Sequence, residues 1–159
     1  MANVNIGISQ KDRQGVINLL SKILADQYVL YTKTRNYHWN VTGPHFSDYH
    51  KLFAEQYGAL AEDIDDVAER IRSLGGKTPS TLKEFSNATR LKEHPGKYPN
   101  ARVMVANLLA DHEKVIQTLR KDIESCGSKY HDVGTEDFLT GLIEKHEKTA
   151  WMLRAILEA

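Results

Sequence analysis

Cysteine is nearly absent: Cys126 is the only one among 159 residues. An intrachain disulfide is therefore excluded, and the lone thiol suits a reducing compartment. Proline is scarce and confined to Pro44, Pro79, Pro95 and Pro99, so long stretches carry no helix breaker. No apolar run approaches the ~18 residues of a membrane span. The opening MANVNIGISQKDRQG lacks the apolar segment of a signal peptide. Excess charge is missing too, because 21 basic residues balance 21 acidic ones. That balance argues against gross attraction to DNA or anionic membrane, though not against a local patch. A soluble cytoplasmic protein is the expectation. The length suits a single domain over 1–159, with 1–10 as a short N-terminal tail. Such a chain buries roughly 70% of its unfolded surface and needs no staple to fold.

What is present is helical periodicity. Gly43-Pro44, Gly75-Gly76, the Pro79–Pro99 stretch and Gly127 to Gly134 divide the chain into four long segments. The first spans about Lys11 to Asn40, with Val16, Leu19, Leu20, Ile23 and Leu24 on one face. The second spans about Ser47 to Leu74 and stops at the glycine pair. The third follows Asn100 as N-cap and reaches about Cys126; the fourth follows Thr135 as N-cap and runs to the end. Residues 77–99 are long for a connection and hold a short predicted helix near 81–87. No strand-like alternation competes. Two helical hairpins joined by a long crossover make an all-α, ferritin-like four-helix bundle.

Four residues then stand out as potential metal ligands: His38, His50, Asp65 and Glu69. Imidazole with carboxylate suits Fe(II), Zn(II) or Mn(II), and open positions would suit redox chemistry on iron. Asp65 and Glu69 are four apart and share a helix face. His50 and Asp65 are fifteen residues apart on the same predicted helix, or about 22 Å. Ligands must approach an ion to about 2 Å, so one chain cannot easily close all four around one centre, whereas two chains can. The spacing alone is a weak signal, since histidines near helix ends and Asp-x-x-x-Glu pairs on solvated faces are common. A ferritin-type centre inside the bundle needs Glu-x-x-His on two helices. The residues three before the seven histidines are Arg35, Thr42, Ser47, Leu91, Leu109, Ser128 and Ile143, so that centre is absent. A mainly apolar core is the corresponding expectation.

The run TKTRNYHWNVTGPHFSDYHKLFAEQYGALAEDIDDVAERIRSLGG resembles the signature of the Dps family, the dodecameric mini-ferritins. The resemblance extends through the crossover and the segment GTEDFLTGLIEKHEKTAWML. It implies a ferroxidase whose centre takes His38 and His50 from one subunit and Asp65 and Glu69 from its two-fold partner. It also implies Fe(II) oxidation with hydrogen peroxide favoured over oxygen, ferric storage in a hollow shell, and protection from oxidative stress. Iron is the implied metal, with zinc as an alternative occupant. Trp39 would lie beside the centre, packing it and intercepting stray oxidising equivalents, or else simply packing an interface.

The resemblance implies an acidic three-fold pore near the end of the third helix and the start of the fourth. Asp137, Asp122, Asp132 and Glu136 are the candidates; the alternative is that acids there cap the fourth helix. His45 is a loop residue or a supporting partner of the centre, His112 and His146 read as structural, and His94 and His131 as surface residues. The family's DNA binding often uses a basic tail, but the first fourteen residues hold only Lys11 and Arg13 against Asp12. Weak or absent DNA binding is expected, with a nucleoid-binding protein as the alternative function. An incidental helical bundle is the third reading.

Overall fold

The computed structural model describes residues 4–158; residues 1–3 of the expected tail and Ala159 lie outside the described residues. Ser9 caps the first helix, α1 (Gln10–Asn40), by accepting the Asp12 N–H. After a turn in which Gly43 takes φ +97°, α2 covers Phe46–Ser73. The expected glycine stop is a Schellman motif: Gly76 N–H reaches Ile71 O and Gly75 N–H reaches Arg72 O. Gly75 sits at φ +88°, a conformation that a side chain would strain. A one-turn-plus helix, α3 (Leu82–Ala88), lies in the crossover with Thr81 and Glu84 forming a capping box. Then α4 (Ala101–Glu124) starts from Asn100 as expected, and α5 covers Val133–Leu157. No strand occurs among the described residues.

α1 packs chiefly along α2, and α4 along α5, so the two hairpins of the bundle are those the periodicity predicts. Phe53, Leu60, Val67 and Ile71 bury one stripe of α2 against residues such as Leu20, Leu24, Leu108 and Leu119. Phe85 stacks on Tyr28 at 4.3 Å and seats α3 on α1. Arg90 fastens the end of the crossover: its Nε donates to Asp26 at 2.7 Å and its Nη1 to Asp122 at 2.8 Å. One side chain thereby ties the crossover to both hairpins.

Two boundaries differ from the expectation. The α-helical pattern of α4 ends at Glu124, and a π-helical turn over Ser125–Lys129 follows. That turn brings Tyr130 so close to α1 that a Cβ on Gly15 would overlap its ring. α5 begins three residues early because Asp132, not Thr135, is the N-cap. The Asp132 carboxylate accepts both the Thr135 N–H, at 3.0 Å, and the Thr135 hydroxyl. An ionised oxygen is the stronger acceptor for orphan helix donors, so it takes the capping position from the hydroxyl. Cys126 is buried, and burial with help from nearby Asp132 and Asp122 pushes its thiol up to about 12.

The interior is also less apolar than expected. Asp26, Gln27, Lys33, Asp63, His112 and His146 are all buried. They persist there because each is paired: Lys33 with Asp111, Asp63 with Lys145, and the two histidines with each other. His112 Nδ1 and His146 Nδ1 are 2.8 Å apart, so one carries the shared proton and the other accepts it. Gln27 completes the row against His146 Nε2. Burial holds both rings neutral, with His146 lowered to about 4 and His112 well below its ordinary value.

A depressed histidine pKa means that the unfolded chain binds the proton first. The stabilisation is fully present above about 6.5 and is lost as pH falls toward about 4. For His146 the expected loss is roughly 3 kcal/mol per subunit, read by denaturant unfolding across that pH range. A His146→Gln variant should show a flatter acid limb.

Candidate metal centre

The end of α1 and the start of α2 are held together by two histidines. His38 Nδ1 lies 2.7 Å from His50 O, and His50 Nδ1 lies 2.9 Å from His38 O. A carbonyl oxygen can only accept, so each Nδ1 carries the proton and donates. Both Nε2 atoms are therefore left with free lone pairs. The rings stack at 3.7 Å with 23° between their planes. A ligating histidine commonly gives its second N–H to a backbone carbonyl in this way, which fixes tautomer and orientation. The donor set thus suits a borderline divalent ion such as Fe(II).

The surrounding aromatic shell went unnoticed in the sequence. Tyr57 meets His38 edge-on at 5.3 Å, and Phe46 lies 5.1 Å from His50. Arg35 sits over three rings, 4.8 Å from Trp39, 5.3 Å from Tyr57 and 5.4 Å from Tyr31, and donates to the Tyr31 hydroxyl. Helical spacing held the signal: Tyr57 and Phe46 are seven and four residues from His50, and Arg35 is three from His38. Trp39 is nonetheless 64% exposed, so an indole beside the histidines faces outward.

Asp65 and Glu69 are exposed on α2, off its buried Leu60, Val67 and Ile71 stripe. They lie on the same continuous helix as His50, about 22 Å along it in the case of Asp65. The described residues of this one chain accordingly bring no three histidine, cysteine or acidic side chains together as a metal site. His45 is an exposed residue at φ 60° that precedes α2, its imidazole 3.5 Å from Asp48. His94 and His131 are exposed.

Of the four pore candidates, two are drawn into the protein. Asp122 is buried against Arg90, and Asp132 is buried against Arg70 at 3.0 Å while capping α5. Neither is free to face a channel, because each neutralises a guanidinium. Glu136 is half-buried with its carboxylate against Gly127, which has no side chain to obstruct it. Asp137 alone of the four is exposed.

The ferritin-like domain family matches residues 17–159. A low temperature-induced protein of Nostoc sp. is 50% identical over 158 residues, covering 99% of this chain and 88% of its own length. DNA protection during starvation protein 2 of Bacillus anthracis is 40% identical over 142 residues, covering 89% and 96%. Among solved structures, the DPS protein of Vibrio cholerae O1 superposes with a TM-score of 0.91 at 32% identity, over 99% of this chain and 98% of that one. That structure is described as a member of the broad superfamily of ferritin-like diiron-carboxylate proteins.

A His38→Phe variant keeps a flat ring but removes one candidate ligand atom and one hydrogen bond. Its apo form should lose on the order of 1 kcal/mol in thermal unfolding. Co(II) added as a spectroscopic probe should bind more weakly than to the unaltered protein, because only the His50 imidazole remains.

Proposed function

We propose, because this chain belongs to the Dps family of ferritin-like proteins, that it oxidises Fe(II) at centres shared between two-fold related subunits. The observation that supports this most directly is the reciprocal hydrogen bonding of His38 and His50, which leaves two Nε2 lone pairs aimed away from the backbone. Two imidazoles bind Fe(II) but compensate little of the added charge of Fe(III). Carboxylates supply that compensation, and Asp65 and Glu69 lie about 22 and 28 Å along α2 from His50, too far to do so within one subunit. Taken from a partner, they would complete a His, His, Asp, Glu set. The full assembly we expect is a dodecamer enclosing a store of ferric mineral.

Hydrogen peroxide is the oxidant we favour. Two Fe(II) give up one electron each; the O–O bond accepts both and, with two protons, yields two waters. Pairing the electrons in this way releases no hydroxyl radical. Trp39, exposed beside His38 and stacked on Arg35, is placed to pack a subunit interface and to intercept an unpaired electron hole. Asp137 is the acid we carry forward as a pore residue, since Asp122 and Asp132 are engaged in internal ion pairs.

Anaerobic protein loaded with Fe(II) should lose about two Fe(II) for each peroxide added, against a slower reaction with oxygen. Losing even a supporting contact around a metal costs about 10–100-fold, so Asp65→Asn with Glu69→Gln should slow the reaction on the order of 100-fold or more. Unchanged rates in that variant would place the chemistry elsewhere.

A second reading, DNA protection, is favoured by the name of the Bacillus anthracis relative. The first fourteen residues here carry Lys11 and Arg13 against Asp12, too few cations for strong counterion release. A gel shift at about 150 mM salt should detect no retardation, whereas binding at low salt that collapses with added salt would reveal a weak surface patch.

A further inference from the structure

Arg35 stands beside the two candidate histidines, where α1 and α2 face each other. On α1, Tyr31 lies four residues before it and Trp39 four after, so the three side chains share one helix face. Tyr57 reaches the same point from α2. The guanidinium sits over all three rings and is nearest to Trp39, at 4.8 Å. Its Nη1 donates to the Tyr31 hydroxyl at 2.6 Å, while its buried Nε has no hydrogen-bond partner among the described residues. Arg35 belongs to none of the ion pairs among those residues. Rings and one hydroxyl hold this cation, and no carboxylate of the described chain cancels it at contact.

The rings continue inward. Tyr57 meets His38 edge-on at 5.3 Å and Tyr31 edge-on at 6.1 Å. Tyr31 lies 5.9 Å from Tyr28, and Tyr28 stacks on Phe85 of α3. An unbroken aromatic row thus runs from the candidate centre to the crossover helix. Tyrosine and tryptophan give up single electrons readily. Left alone, such a row would carry an electron hole inward from any one-electron oxidant formed beside the histidines.

A fixed cation opposes that transfer. A neutral ring attracts a guanidinium through its electron-rich face. When the ring loses an electron it becomes positive, and the attraction turns into repulsion between like charges. At 4.8 Å in a half-buried setting that repulsion is stronger than in bulk water. The hydrogen bond to Tyr31 acts in the same sense, because an oxidised phenol is a poorer acceptor. In the complete step, Trp39 would pass one electron to the oxidant, which is reduced by one, and then its indole proton to water. The guanidinium raises the cost of the electron loss.

We propose that Arg35 guards this aromatic row electrostatically, making Trp39, Tyr57 and Tyr31 harder to oxidise by one electron than the same rings without it. Its benefit to the protein rests on the iron-oxidising reading above; the effect on the rings does not. It narrows what Trp39 can intercept to oxidants stronger than an unguarded indole requires.

The test uses iron-free, fully assembled protein, so that it reads the rings whether or not the iron centre is as proposed. Trp39 and Trp151 are the two tryptophans, and a Trp151→Phe background leaves Trp39 as the single indole. Hexachloroiridate(IV), a one-electron oxidant, is mixed in by stopped flow, and loss of Trp39 fluorescence is followed. The oxidant is an anion, so removing a cation weakens its approach and a faster reaction cannot come from encounter. Arg35→Met should oxidise on the order of tenfold faster than the parent. Arg35→Gln, neutral but polar, should behave like Arg35→Met, and Arg35→Lys, which keeps the charge, should stay closer to the parent. Light scattering checks that each variant assembles. Rates that are unchanged or slower in both neutral variants would overturn the proposal. So would an Arg35→Lys protein as fast as Arg35→Met, since packing rather than charge would then protect the ring.

Discussion

The two hydrogen bonds that His38 and His50 exchange with each other's carbonyls are the constraint on which the candidate centre rests. They join the last turn of α1 to the first turn of α2, where the chain has just reversed through Gly43. They also decide a chemical question, since spending both Nδ1 protons on backbone leaves both Nε2 atoms with free lone pairs on rings of fixed orientation. Removing either ring would loosen the hairpin corner and halve the donor set together. The site is thus built from the same contacts that close the fold at that end, and α2, rising stiffly from it, carries its acids beyond reach.

Away from that corner the economy is different. Arg90, Arg70 and Lys145 each hold an acid that is buried or nearly so. Burial of a charge is costly unless its partner is fixed beside it, so these pairs specify where the crossover and α5 sit more than they add stability. Asp122 illustrates the consequence. Its carboxylate cannot both neutralise Arg90 and face a channel, and the ion pair has claimed it.

Much of this was legible in the sequence because helices advertise themselves by period. The stripes on α2 and α4, the Asn100 cap and the Gly75-Gly76 stop all depend on residues a few positions apart. The start of α5 was misread because Asp132 and Thr135 both make good caps, and the choice turns on which oxygen the helix end actually meets. The buried polar row of Gln27, His146 and His112 was hidden for another reason. Its members lie far apart in sequence, 119 residues in the longest step, so two histidines that read as structural gave no sign of each other or of Gln27. The candidate ligands were readable as residue types, but the Nε2 assignment required knowing which carbonyl each ring faces.

The function proposed above brings iron and peroxide together within reach of the protein's own side chains. Thiols are ordinarily the first casualties, because the thiolate is the reactive form and sulfenic acid the first product. This chain's one sulfhydryl lies buried at the π-helical turn, and its ionisation is pushed up to about 12. At neutral pH almost none of it is thiolate. The chain therefore presents almost no thiolate for peroxide to attack, and a thiol buried at that turn is poorly placed to join two copies of the chain by a disulfide.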